Sequence, residues 1–259
     1  MTVTFILFFC VAVIFSMLGL GGGVFYVPLL LQIGLPFHEA AAVSVCIMII
    51  MSVTATAVYN SNKLIDWKIV IFMGPCAVIG ALIGGLNSVI FSETILEILF
   101  GIMMLISALL MLKIPKEINQ PKPKKIGFIE SKMTGITYFI NLWLGVPLFF
   151  LAGFIASLLG IGGGFAKVPI MTFIFRVPSK VAVATSSALI VLTASAAAAG
   201  HFAAGNLNLK LVAVLGAAVF AGGYLGSHIS AKADKKFINI ALAVIMFAVS
   251  AWMFYRAYI

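Results

Sequence analysis

Long uninterrupted apolar runs constrain this chain more than any other feature. Thr2–Leu18, Ala40–Tyr59, Ile69–Leu86, Thr94–Leu112, Leu142–Leu159, Val181–Ala204, Leu211–Ser230 and Phe237–Tyr255 reach or approach the roughly 20 helical residues that cross a bilayer core of about 30 Å. Two shorter runs, Val24–Leu35 and Phe165–Phe175, follow glycine clusters and hold only 11 or 12 residues, enough for about half a crossing. The runs are continuous and do not alternate every second residue, which argues for helices and against a transmembrane barrel. Of 259 residues, 63% are hydrophobic and 9% charged, whereas soluble domains carry about 25% charged residues. That is too little polar surface for a soluble enzyme, a nucleic-acid-binding domain or a disordered scaffold. The predicted fold is an all-α polytopic membrane protein of about ten hydrophobic segments, the two short ones included.

The net charge of +9 reads as a membrane signal and not as a nucleic-acid footprint. Six of the sixteen Lys and Arg lie between Lys113 and Lys132, around the polar stretch Gln120-Pro121-Lys122-Pro123-Lys124-Lys125, and most others sit in short gaps between apolar runs. Residues 113–132 are therefore expected to form a basic cytoplasmic linker between segments 1–112 and 133–259. Met133–Asn141, uncharged and moderately apolar, reads as an interfacial lead-in to the next helix. Cys10, Cys46 and Cys76 lie in apolar runs without metal spacing and read as small packing residues. The first twenty residues lack a basic start and a clear cleavage site, so they read as a retained membrane segment.

The two sides of the linker resemble each other. Gly19–Pro28 and Gly160–Pro169 share six of ten residues at an offset of 141, in the pattern Gly-x-Gly-Gly-Gly-x-x-x-x-Pro. After one inserted residue, at an offset of 142, Pro36 pairs with Pro178, Ala40 with Ala182, Ala42 with Ala184, Ser44 with Ser186, Lys68 with Lys210, Gly74 with Gly216, Gly80 with Gly222 and Gly84 with Gly226. Glycine, proline and lysine kept in register over such a span imply an internal duplication. With the linker inside, thirteen of the sixteen basic residues fall inside, Lys210 and Arg256 fall outside, and Lys167 falls within an apolar region. Equivalent loops then face opposite sides, so the repeats are inverted and both termini lie outside. Five crossings per half satisfy this, and so do three crossings plus a re-entrant pair. Inverted repeats are a transporter signature, with the substrate expected at the repeat interface near broken helices.

The doubled glycine motif, the proline and Ala-rich helix after each copy, and Thr185-Ser186 within Val181–Ser187 resemble the TauE/SafE family of sulfite and organosulfonate exporters. The resemblance covers essentially the whole chain. It implies a prokaryotic plasma-membrane carrier of small, often sulfur-containing anions, among them sulfite, sulfoacetate and sulfate, without fixing which. Val43-Ser44 stands where the second half has Thr185-Ser186, so the two halves of a site would not be equal.

Several residues are candidates for touching an anion. Gly21, Gly22, Gly23 and Gly162, Gly163, Gly164 oppose regular helix and permit an unwound turn. The next short helix would then present free N–H groups and its positive dipole end. Close helix packing is the competing reading of these glycines. Ser44, Thr185, Ser186 and Ser187 offer hydroxyl donors without charge, and also suit bonds to their own helix. Lys167, three residues past Gly164, either meets an anion or snorkels to water. His201, whose repeat partner is Tyr59, and Asn60 are candidates for proton coupling, or polar residues at helix ends. Of the seven acids, Glu97 lies deepest, about one turn in, and no central carboxylate relay is visible. No metal cluster, cofactor motif or nucleotide loop stands out, and no Gly-Lys-Ser/Thr follows the glycines. The expected activity is secondary transport of small anions, probed against two alternatives: an anion channel, and a non-transporting membrane scaffold or enzyme subunit.

Overall fold

A computed structural model describes residues 2–19, 21–112, 126–203, 209–232 and 235–258. The Gln120–Lys125 stretch lies outside them. Among the described residues, ten α-helices follow the apolar runs: α1 (Thr2–Leu18), α2 (Gly23–Gln32), α3 (Phe37–Ser61), α4 (Trp67–Leu86), α5 (Glu93–Met111), α6 (Leu142–Leu158), α7 (Gly164–Pro169), α8 (Ser179–Ala203), α9 (Leu209–Lys232) and α10 (Lys235–Tyr258). Five spans among the described residues are long and apolar enough to cross a membrane: Phe37–Ser61, Trp67–Leu86, Glu93–Leu110, Ser179–Ala203 and Lys210–Ser230. The all-α polytopic expectation holds.

Boundaries follow local chemistry. Asp66 caps α4 by accepting the Lys68 amide, and Asn141 caps α6 by accepting that of Leu144. Pro169 supplies no N–H, and α7 passes directly into a π-helical stretch, Ile170–Ile174, where Thr172 Oγ1 donates back to Val168 O at 2.9 Å.

The helical core gains one addition. Met133–Asn141, read as a lead-in, belongs to an antiparallel hairpin of β1 (Phe128–Met133) and β2 (Ile136–Asn141). Thr134 and Gly135 turn it with φ of 51° and 81°, the two left-handed positions of a type I′ turn. The hairpin covers the α3–α4 connection. The buried Tyr138 hydroxyl donates to Asp66 Oδ2 at 2.5 Å, and Lys68 Nζ donates to Glu130 O at 2.7 Å. Burial, and then the Asp66 carboxylate, push the Tyr138 phenol well above the usual tyrosine range.

Helices α3 and α8 form the centre. Their apolar windows are 67% and 72% buried, against 50% or less in α4, α5 and α9. The two run antiparallel: Thr185 near the start of α8 accepts the amide of Asp66 just past the end of α3, while Ala41 near the start of α3 packs on Gly160, which follows α6. Around this pair, helices from either side of the linker interleave. α1 lies on α9, α6 on α4 and α5 on α10, while α4 also contacts α8 and α9 contacts α3.

Glycines allow these crossings. A β-carbon at Gly80 or Gly84 would stand 2.1 Å from Phe150 O or 2.3 Å from Phe154 O. At Gly222 or Gly226 it would stand 2.7 Å from Phe9 O or 2.0 Å from Val13 O. Such contacts leave no room for any side chain. Gly80→Ala and Gly226→Ala should each cost about 1–3 kcal/mol, several degrees of melting temperature in detergent. Gly74→Ala, whose nearest neighbour is the flexible Leu192 Cδ1 at 3.4 Å, should melt close to the parent protein. Equal melting of all three would show that the crossings are looser than drawn.

Candidate functional site

The two glycine clusters are sharp, unwound turns that meet at mid-height of α3 and α8. Gly22 and Gly163 cap α2 and α7 with φ of 78° and 81°, a left-handed conformation that a β-carbon disfavours. Gly21 and Gly162 are left-handed as well. The turns touch: a β-carbon on Gly23 would lie 2.6 Å from Ile161 Cα and 2.8 Å from Gly160 O. Among the described residues, the amides of Gly21, Gly22, Gly162 and Gly163 donate to no backbone carbonyl.

Contacts at these turns and further along the central helices recur in pairs. Gly19 packs on Val183 and Gly160 on Ala41; Gly21 packs on Ile190 and Gly162 on Met48. Tyr26 hydroxyl donates to Met51 Sδ at 3.2 Å, and Lys167 Nζ donates to Thr193 Oγ1 at 2.7 Å. Tyr59 hydroxyl donates to Ser16 O at 2.8 Å, while His201 Nε2 lies 3.0 Å from Ser157 O. In every pair both residues shift by 141 or 142.

Lys167 is fully buried and does not reach water. Its ammonium donates to Thr193 Oγ1 and, at 3.2 Å, to Gly162 O, and no described acid pairs with it. A buried cation without a counter-charge is costly in an apolar interior. Thr193 was not singled out from the sequence. The available signal was its spacing: it stands two helical turns beyond Ser186, on the same face of α8.

The hydroxyl candidates separate by what they bond. Ser44 Oγ donates to Gly160 O at 2.7 Å and so ties α3 to the second glycine turn. Thr185 Oγ1 is engaged by the Asp66 amide at 2.9 Å, and Ser187 Oγ donates to Val183 O within its own helix at 3.3 Å. Ser186 is fully buried, and its Oγ has no partner among the described residues. It lies on α8 between Val183 and Ile190, which pack on Gly19 and Gly21, so it stands on the face turned towards those two glycines.

Two candidates lie apart from this centre. Asn60 is exposed, its Oδ1 accepting from Trp67 Nε1 at 3.2 Å. His201 is buried at the far end of α8 against Ser88 Oγ and Ser157 O. Glu97 is paired with Arg256 at 2.6 Å near the end of α10. The described residues contain no group of three or more His, Cys, Asp or Glu that could hold a metal ion.

The family profile described as "Sulfite exporter TauE/SafE" matches residues 4–253. The chain belongs to the TauE/SafE family. This TauE/SafE chain is 31% identical over 254 residues to the "Probable membrane transporter protein YunE" of Bacillus subtilis, covering 93% of this chain and 92% of that one. It is 26% identical to a probable membrane transporter protein of Methanocaldococcus jannaschii, covering 95% and 92%. It is 21% identical to "Sulfite exporter TauE/SafE family protein 6" of Arabidopsis thaliana, covering 96% and 78%. No solved structure matches it. With its apolar helices, the TauE/SafE chain is a multi-pass membrane transporter.

Proposed function

We propose that this transporter carries small oxyanions such as sulfite, sulfoacetate or related organosulfonates out of a prokaryotic cell by alternating access. In this reading residues 1–112 and 133–259 are inverted repeats joined by the cytoplasmic linker 113–132, and the anion sits where the two glycine turns meet. The paired contacts support the repeats. The observation that carries the anion site is a set of donors around the turns: the Lys167 ammonium, bonded to Thr193 Oγ1 and Gly162 O but facing no described carboxylate, and, among the described residues, the Ser186 hydroxyl without a partner and glycine amides that donate to no backbone carbonyl. An oxyanion accepts from all three kinds of donor and supplies the missing negative charge. The charge contact comes from the second half only, since Tyr26 occupies the equivalent place in the first.

The test is Lys167→Met in proteoliposomes loaded with labelled sulfite or sulfoacetate. Loss of one charged hydrogen bond, about 1.5–3 kcal/mol, should raise the half-saturating concentration about 10–100-fold with membrane insertion unchanged. Ser186→Ala should act in the same direction and more weakly. Unchanged kinetics in both variants would move the site elsewhere. Saturation and trans-stimulation are expected, and single-channel conductance steps would replace the carrier by a channel.

A further inference from the structure

The point where the glycine turns meet is filled by a side chain. Met48, near the midpoint of α3, is fully buried. A β-carbon on Gly23 would lie 2.3 Å from its Sδ, and one on Gly162 would lie 1.9 Å from its Cε; Cε is also 3.5 Å from the same position on Gly21. One thioether therefore touches both turns. Ser44, one helical turn before it, approaches Sδ at 3.7 Å. Across from it, Ile190 of α8 places Cδ1 and Cγ2 at 3.1 and 3.3 Å from the Gly21 position, and Cγ2 at 3.4 Å from that of Gly162. Two apolar side chains thus pack against the backbone of the two glycine turns.

The two side chains differ in freedom. Ile190 is β-branched and held near one rotamer on a helix. Met48 is unbranched, turns about three side-chain bonds, and adapts readily to new surroundings. Only one of the two equivalent positions therefore holds a side chain able to leave.

We propose that Met48 is the gate of the anion site: its thioether holds the place of the substrate when the site is empty and swings out when an oxyanion binds, while Ile190 stays as a fixed wall. This rests on the anion reading above and adds a residue that tunes affinity and selectivity. The end of a methionine side chain is a compact group, so the vacated space suits a single tetrahedral or pyramidal oxyanion head. An anion that fails to expel the thioether is excluded. The energy of expelling it is subtracted from every binding event, as for any site that is only partly populated in its competent form.

The experiment titrates the purified protein with sodium sulfite and sodium sulfoacetate, with sodium chloride as comparison. Met48→Ala removes the plug and should bind about tenfold more tightly. Met48→Ile, which copies Ile190 and cannot swing, should bind about tenfold more weakly. A side chain that merely fills the core would lower the melting temperature of the Ala variant and leave anion affinity within twofold in both, and that result overturns the proposal. The second readout is the methyl resonance of Met48 in protein labelled with 13C-methyl methionine, assigned by its loss in Met48→Leu. It should shift on adding sulfite and stay fixed with chloride. An unmoved resonance in a protein that binds sulfite overturns the gate even if Met48→Ala fails to fold. Absence of any binding by the parent protein would instead remove the anion reading on which the gate depends.

Discussion

Gly160→Ala should abolish transport and sharply reduce the yield of folded protein. Two costs coincide at this position. Its φ of 69° is left-handed, which costs an alanine about 1–2 kcal/mol. The new β-carbon would also lie 2.4 Å from Ala41 Cα and 2.9 Å from Ala41 O. Those atoms are backbone on a central helix and cannot rotate aside, so the turn would have to leave α3. That movement would break the Ser44 bond to Gly160 O and displace the adjoining Gly162 and Gly163. Gly34→Ala is the matched comparison. Gly34 has φ of 96° and nothing within 4 Å of the added carbon. It should lose only the backbone preference and keep transport. Gly19→Ala should resemble Gly160→Ala, because its β-carbon would meet Val183 O at 2.5 Å. Monodisperse yield, melting temperature and proteoliposome flux, measured side by side, decide the matter. If Gly160→Ala behaves like Gly34→Ala, the glycine turn is not held against α3 as drawn.

Much of this architecture was legible because run length is a strong signal in a membrane chain. Each long apolar run became a helix, and the two short runs after glycines became α2 and α7 with its π extension. The unwound turns were legible too, since three adjacent glycines oppose regular helix. The hairpin was not. Its strands are only six residues long, carry Glu130, Lys132 and Asn141, and turn on Thr-Gly rather than the stronger Asn-Gly or Asp-Gly signal. The partner of each helix was also hidden. α4 and α6 are apolar on all sides, so periodicity names no buried face, and only the glycine spacing hints that two backbones meet.

The candidate site was legible as residue types and illegible as bonds. Ser44 and Ser186 look equivalent in sequence, yet one hydroxyl is bound to Gly160 O and the other has no partner among the described residues. Thr185 reads as a donor to an anion, and its oxygen receives the Asp66 amide instead. Lys167 could be flagged as an isolated charge; that its ammonium rests on Thr193 requires the packing of α7 against α8. Met48 carried no signal at all, because one methionine among twelve in an apolar chain reads as filling.

Cysteines placed at Gly34 and Arg176 should react with a membrane-impermeant maleimide from opposite sides of the membrane. The two positions are equivalent, 142 residues apart, each exposed and just beyond a short helix. They share a left-handed backbone, φ 96° at Gly34 and 54° at Arg176. Gly34 precedes the start of α3 and Arg176 precedes the start of α8, so antiparallel packing of α3 and α8 puts them at opposite ends of the molecule. A cysteine-free parent is needed, since Cys10 is exposed and Cys46 and Cys76 are half-buried. With a basic linker inside, position 34 should label from outside in intact cells, and position 176 only after the membrane is opened. The effect is all-or-none and independent of substrate. Labelling of both from one side would mean that one of the short segments fails to bridge the glycine turn to its own face. The exchange of two oppositely oriented halves, which gives alternating access its mechanical basis, would then have no structure to act through.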